Sequence, residues 1–541
     1  MSPRSVQIDQ LVDDLNAGRI GRRQFLARGA ALGLSLSTVS AVLAACGGTA
    51  SGTGGGDLHL APGNVVTLDP AFVDGETMIA AGIFEGLVTF KPGTYDTVNQ
   101  LAEKIEQSAD GRQVSFALKR GIKFHHGFGE VTAEDVKFSF ERIAGMTTPK
   151  VESYYKDDWQ ALEGVEVTGK YEGIIHLKHP YGPLFRTTLP VTAGWVTSKK
   201  AFEQLGPKKI KLQPVGTGKY QFKEVIPQQR SVLERSPTYS GASDEAFGSG
   251  KAAFKEMTFV YISGDQTLWA AMQTGELSYI DGGKPEADRL KSDSKFKIER
   301  FSNPGLDFIG MNTANPVLAD VNVRRAIIAA IDRKPIIDVA YQGDGTPAAG
   351  YVAPVLGLGV WDAAPSFDQD LDAAQGFMEK AGVSSLSIDF NYSPDETGSK
   401  AAELVQGDLS KIGIKVNLKP DINFGTPGPQ LKKNGIFLAT YGLVGPDPSA
   451  LYVWFTCSQV EQYNYMYWCD PRFTALYKQS VAEVDQGKRN DIFVKMAEVL
   501  ADAAIILPVR WGDAYGIANS NVVEGSWRPD GSPIYPGFKA L

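Results

Sequence analysis

"LAEKIEQSADGRQVSFALKRGIKFHHGFGEVTAEDVKFSFERI", residues 101–143, sets two hydrophobic periods back to back. Val114, Phe116 and Leu118 recur at every second residue, the pattern of a half-buried strand. Thr132 is then followed three residues later by Asp135, and Val136, Phe140 and Ile143 recur at helical spacing. That combination predicts a capped amphipathic helix starting at Thr132. The same alternation continues along the chain. In "NVRRAIIAAIDRKPIID" (322–338), Val323, Ile327, Ala330 and Ile331 share one helical face, with Arg324 and Arg325 outside it. In "KAAELVQGDLSKIGIKVNLKP" (400–420), a helix through Ala401, Val405, Leu409 and Ile412 gives way to a strand at Ile414, Val416 and Leu418. Strands and helices in alternation predict mixed α/β lobes.

The chain has 541 residues, 43% of them apolar and 10% aromatic, enough for large cores in two or three domains. Its N-terminus has a separate design. Arg22 and Arg23 precede Phe25 and Leu26, and an uncharged but weakly apolar run extends from Gly29 to Ala45. That run is too short and too polar to span a bilayer, which takes about 20 strongly apolar residues. Basic, apolar and small-residue regions in this order describe an export signal. The arginine pair resembles a twin-arginine signal, which exports folded proteins. Leu43-Ala44-Ala45-Cys46 resembles a lipobox, which makes Cys46 the lipidated first residue after removal of residues 1–45. Residues 46–56 then form a Gly-rich tether, whose ten residues after the cysteine span roughly 17 Å as a random coil.

Residues 1–45 carry five basic and three acidic residues, so the body is more acidic than the whole chain, at −10 against −8. Nucleic acid and anionic bilayers select basic surfaces, so neither is expected as a partner. Cys457 and Cys469 lie twelve apart, and outside the cytoplasm a bridge between them is allowed. Such a loop is worth about 3 kcal/mol in the chain-entropy model. Paired free thiols are the alternative, and a metal site would need further ligands nearby.

Chemistry-bearing motifs are scarce. His125 and His126 are adjacent after a strand, and His176 and His179 are three apart within one; neither pair can share an ion. All four are expected as surface or turn residues. "GTGKY" (216–220) and "GSGKA" (248–252) fail as phosphate loops, because Gln213 and Glu245 stand where the first glycine is needed. No nucleophile elbow and no HExxH sequence occurs. The sequence gives no reason to expect an enzyme.

Six stretches, in order, carry a resemblance: 67–88 ("TLDPAFVDGETMIAAGIFEGLV"), 101–143, 214–222 ("PVGTGKYQF"), 319–337 ("ADVNVRRAIIAAIDRKPII"), 407–416 ("GDLSKIGIKV") and 468–480 ("WCDPRFTALYKQS"). Together they resemble the family 5 extracellular solute-binding proteins, the oligopeptide, dipeptide and nickel-binding group of ABC importers. The resemblance implies an α/β, two-lobed periplasmic-binding-protein clamshell of type II, cluster C, with a subdomain inserted in the first lobe. Lobe I is expected at 57–95, 211–301 and 506–541, the insert at 96–210 and lobe II at 302–505. Crossover strands near 300–308 and 500–508 would form the hinge. Gly216 and Gly218 then serve a turn entering a strand, through their backbone freedom.

The same resemblance implies where a ligand sits. One region is Glu76, Thr77 and Met78; the other is "ATYGLVGPDPSALYVWF" (439–455). Tyr441 is expected as a stacking or hydrogen-bonding wall. Peptide binders carry an acidic anchor soon after that position, whereas here Leu443, Val444 and Gly445 fill the stretch. Asp447 is left either as a ligand contact or as a helix cap. Tyr463, Tyr465, Tyr467 and Trp468 alternate partly as a strand would, and either line the cleft or pack beside the cysteines. The implied function is an outer-face, membrane-anchored binding subunit, a monomer that delivers a short peptide to an ABC permease and needs no cofactor. Alternatives are a non-peptide solute (opine, oligosaccharide or metal chelate), a sensor or chaperone on the same clamshell, and a secreted hydrolase. Bare nickel is disfavoured, since these segments hold no His or Cys cluster.

Overall fold

The fold follows a computed structural model that describes residues 56–61, 67–73, 77–226, 229–262, 265–421, 435–442, 446–520 and 523–541. Arg22, Arg23, Cys46, Glu76 and Leu443 to Gly445 lie outside the described residues.

Strand β1 (Leu58–Leu60) and the one-turn helix α1 (Thr77–Ala80) open the first lobe. The insert follows, with β2 (Ala102–Gln107), β3 (Gln113–Leu118), α2 (Ala133–Ile143), β4 (Leu162–Val167) and β5 (Glu172–Leu177). Its antiparallel sheet runs β2-β3-β5-β4. The helix forms where its capping signal predicts: the Thr132 backbone N–H donates to the Asp135 carboxylate at 3.0 Å. Val136, Phe140 and Ile143 are buried, and the Phe140 ring lies 4.5 Å from Trp159. Burying one such side chain stabilises by about 1.5–3 kcal/mol.

The chain then returns to the first lobe through β6 (Tyr220–Ile226), β7 (Arg230–Arg235), β8 (Glu256–Val260) and β9 (Tyr279–Gly282). The long β10 (Phe296–Met311) leads into the second lobe. That lobe contains α3 (Val321–Ala330), β11 (Leu386–Asn391), α4 (Glu396–Ser410), β12 (Ile414–Lys419), β13 (Ile436–Tyr441), α5 (Pro471–Ala482) and α6 (Gln486–Ala503). The second long strand, β14 (Ile506–Asn519), leads back. The resulting sheet runs β6-β7-β8-β1-β9-β14-β10-β13-β11-β12. Each lobe keeps its own core, and β10 and β14 are the strands common to both.

Where these strands change lobes, their pairing slips: Ser302 faces Asp513, yet the next paired residues are Leu306 and Trp511. The crossover on β14 therefore falls at 511–513, later than the expected 500–508, because Ile506 to Val509 already pack in the second lobe's core.

Four expectations are corrected. Arg324, expected outside the helix's apolar face, is nonetheless buried, its guanidinium donating to the carbonyls of Leu318, Ala319 and Ala503. His125 does sit in a turn, but fully buried, with Nε2 at 2.9 Å from the Gly218 carbonyl. Gly216 and Gly218 serve close approach rather than dihedral freedom: an added Cβ would lie 2.1 Å from the Ile83 oxygen and 2.4 Å from the Gly82 oxygen, respectively. The aromatic run 463–468 adopts turns and not a strand.

The insert is welded to the first lobe. Arg142 of α2 donates two bonds, 2.9 and 2.6 Å, to Asp69, with both side chains buried. Its core is also continuous with Ala71, Leu87, Val88 and Val215.

Candidate functional site

Tyr441 ends β13 at the hinge, paired with Leu306 of β10. Only 4% exposed, it is enclosed by Trp454, Phe308, Phe455 and Tyr465, at centroid distances of 4.5, 4.7, 5.7 and 6.0 Å. Its hydroxyl donates to the Tyr463 carbonyl. Burial first, with Tyr465 adding to it, raises that hydroxyl well above the usual tyrosine range. Tyr441 is thus a buried member of an aromatic cluster, packed on Trp454, whose ring in turn meets that of Tyr463. Those rings lie 6.3 Å apart at 37°, and Tyr463 is 47% exposed.

The Cys457–Cys469 disulfide closes the loop that presents Tyr463. Within the loop, Asn464 donates to the carbonyls of Thr456 and Trp468, and Tyr465 and Met466 are buried. Trp454 lies in the stretch marked by the sequence, but a tryptophan at a helix end carries no signal that separates core from cleft.

Asp447 is fully buried and engaged on every side. Arg489 donates to its two carboxylate oxygens at 2.7 and 2.8 Å, and the Ser449 N–H and hydroxyl donate at 3.0 and 2.7 Å. The bond from the Ser449 N–H ties Asp447 to the start of the short helix Ser449–Tyr452, while the hydroxyl bond joins the two side chains. Burial pushes the carboxyl up, but Arg489 and Ser449 outweigh it and hold it below the usual range. Thr77 and Met78 are half-buried on α1, with Met78 packed on the first lobe's core. The structure therefore brings Tyr441 and Asp447 into one region of the second lobe and leaves Thr77 and Met78 on the first.

A polar network spans the crossover. Arg510 donates to Asp307 at 2.6 Å and to the Asp344 carboxylate and carbonyl at 2.6 and 2.7 Å, with its guanidinium 3.7 Å from the Tyr341 ring centre. From the first lobe's side, Arg300 pairs with Asp513 at 2.7 Å and Tyr515 reaches Asp344 at 3.3 Å. The Gly345 N–H donates to Asp513 at 3.0 Å; its φ of +87° and the Trp511 oxygen 2.4 Å from an added Cβ require glycine there.

In the first lobe, "IFEGL" places Glu85 at a buried polar junction. Thr217 donates to its carboxyl at 2.7 Å and Ser243 also donates, while Gln100 ties Ser243 to the Gly86 N–H. Burial raises Glu85 to about 7 against those bonds. Among the described residues no group of three His, Cys, Asp or Glu is arranged to hold a metal ion.

The profile of the bacterial extracellular solute-binding proteins, family 5 Middle, matches residues 96–462. The dipeptide-binding protein of Escherichia coli (strain K12) is 26% identical over 487 residues, 84% of this chain and 87% of that protein. HbpA2 from Haemophilus parasuis superposes with a TM-score of 0.80 at 24% identity, over 90% of this chain and all of that one. The periplasmic binding protein DppA from Helicobacter pylori, in complex with the peptide STSA, superposes at 0.71 and 23% identity, over 90% and 98% of the two chains.

Proposed function

The chain belongs to family 5 of the bacterial extracellular solute-binding proteins, and we propose that it captures a short peptide between its lobes and hands it to an ABC permease. The similarity to a dipeptide-binding protein along most of both chains carries this reading. The aromatic pair Trp454–Tyr463 supports it, since rings over a closing cleft offer apolar area and edge contacts to peptide side chains.

Capture works by population shift. A ligand that touches both lobes favours the closed form by its differential affinity, and β10 and β14 are the strands that bend. The lobe limits proposed are 57–95, 211–301 and the chain beyond the crossover at 511–513 for lobe I, 96–210 for the insert, and 302 to that crossover for lobe II. The protein works outside the cytoplasm, held to the outer face of the membrane by lipid on Cys46. In the cleft, Trp454 and Tyr463 contact the solute, Tyr441 supports them, and Asp447 shapes the loop; Met78 and Thr77 contribute from lobe I, with Glu76, next to them in sequence, as a further ligand contact.

A second reading, a non-peptide solute, draws on one observation. Asp447 is already committed to Arg489, and Leu443, Val444 and Gly445 bring no charge for a ligand's amino group. Native mass spectrometry of protein from its own host separates the two. Release of peptide masses on denaturation supports the peptide reading, and release of one non-peptide compound overturns it.

A further inference from the structure

The insert belongs mechanically to lobe I, through Asp69–Arg142 and a shared core, yet it also touches lobe II: Val481 packs in the insert's core, Val484 lies against Gly111, and the polar contacts gather at one turn. There the turn 180–186 of the insert meets the elbow between α5 and α6 and the end of the 439–447 stretch. The Gly182 N–H donates to the Val481 carbonyl at 2.7 Å. Gly182 is the residue that fits, since an added Cβ would lie 2.0 Å from the Glu483 oxygen. Next to it, Arg186 crosses the gap. Its Nε and one terminal nitrogen donate to the Pro446 carbonyl at 3.0 and 2.7 Å, and that nitrogen also donates to the Leu356 carbonyl at 2.6 Å. The guanidinium lies 3.9 Å from the Asp447 carboxylate, and its side chain is 13% exposed.

We propose that Arg186 is a positioning residue for solute capture: a clasp by which the insert grips the ligand-side loop of lobe II at Pro446 when the lobes close. The inference rests on the solute-capture reading and assigns Arg186 no contact with the solute.

Three features support a clasp over a permanent joint. The bonds from Arg186 and Gly182 end on backbone carbonyls of lobe II, which water can serve equally well when the lobes part. Asp447 keeps Arg489 as its own partner, so separation strands no buried carboxylate. And the insert cannot follow lobe II outward without breaking the buried Asp69–Arg142 pair, a far costlier event. The guanidinium suits the task, because its rigid fork serves two carbonyls at once while its Nε stays 3.9 Å from a carboxylate.

The test is a distance measurement that needs no solute. In the full chain carrying Cys46→Ser, spin labels at Glu163→Cys on the insert and Lys488→Cys on α6 report the separation of insert and lobe II. Both sites are exposed, and Cys457 and Cys469 are bonded to each other. The expected wild-type distribution contains a docked component. Arg186→Ala is expected to lower the ratio of docked to separated molecules about tenfold, and Arg186→Lys to recover part of it. A wild type without a docked component overturns the proposal. So does an Arg186→Ala distribution that superposes on the wild type, even if that variant melts earlier, since a merely structural residue would change melting and not the distances. Failure of the peptide reading would appear in the released ligand and leave these distances untouched.

Discussion

Arg489 and Asp447 face each other at 2.7 and 2.8 Å with neither side chain reaching solvent. A pair of this kind contributes little net stability against an apolar pair of equal volume, but removing one partner leaves a charge without compensation. Arg489→Met is expected to cost about 3–5 kcal/mol in urea unfolding. Adding Asp447→Leu to it is expected to recover part of that loss, because the second charge goes as well. Additive losses in the double variant would mean the two side chains act independently.

Glu85 and His125 pin the same turn, 214–220, and titrate in opposite senses. Burial raises Glu85 to about 7, so its folded form takes up a proton that the unfolded chain has already lost. Its contribution is complete below the ordinary carboxyl value and disappears as pH rises through 7, by about 3 kcal/mol. Glu85→Gln is therefore expected to gain stability over the wild type as pH rises from about 4.5 to 7. A difference between the two proteins that stays constant with pH would refute this.

Burial lowers His125 to about 4 against its bond to Gly218. The unfolded chain then binds the proton first, so stability is lost as pH falls from about 6.5 toward 4. His125→Gln should lose less in that window, by up to about 3 kcal/mol, measured by denaturant titration at fixed pH steps.

The Cys457–Cys469 bridge fixes the loop that presents Tyr463. Cys457→Ala with Cys469→Ala is expected to cost about 3 kcal/mol by the chain-entropy model. Solute binding should weaken further than stability alone explains, because Tyr463 would lose its fixed place beside Trp454. Full affinity in a folded double variant would remove Tyr463 from the cleft.

Export and anchoring rest on short sequences. Cys46→Ala should move the protein from the membrane to the soluble fraction, and unchanged membrane association would sink the lipid reading. Arg22→Lys with Arg23→Lys should block export; normal export of that variant would point to the general secretory route.

What could be read along the chain was local. Thr132, Asp135 and the Val136–Phe140–Ile143 stripe describe α2 because a cap and an amphipathic face involve residues three or four apart. The strand 113–118 was legible for the same reason. His125 was not, since what buries it is a turn some ninety residues on, whose Gly218 carbonyl meets its ring. Asp447 read as a cap because a proline and a helical stretch follow it, and a bond from the Ser449 N–H does tie it to that helix's start, but Arg489 comes from α6 and has no sequence signature. Arg186 sits in an unremarkable stretch, and its partners Leu356 and Pro446 are backbone carbonyls, which no residue type announces.

The position of β1 has a mechanical consequence. It enters the sheet between β8 and β9, parallel to both, immediately after the stretch that leads back toward Cys46. Tension from a membrane anchor would run along β1 and load its hydrogen bonds together in shear, the arrangement that resists pulling best, instead of peeling them one at a time. With the proposed lipid on Cys46, lobe I would be the jaw fixed at the membrane, and lobe II, joined to it through β10 and β14 and touched by the Arg186 clasp, the jaw that swings.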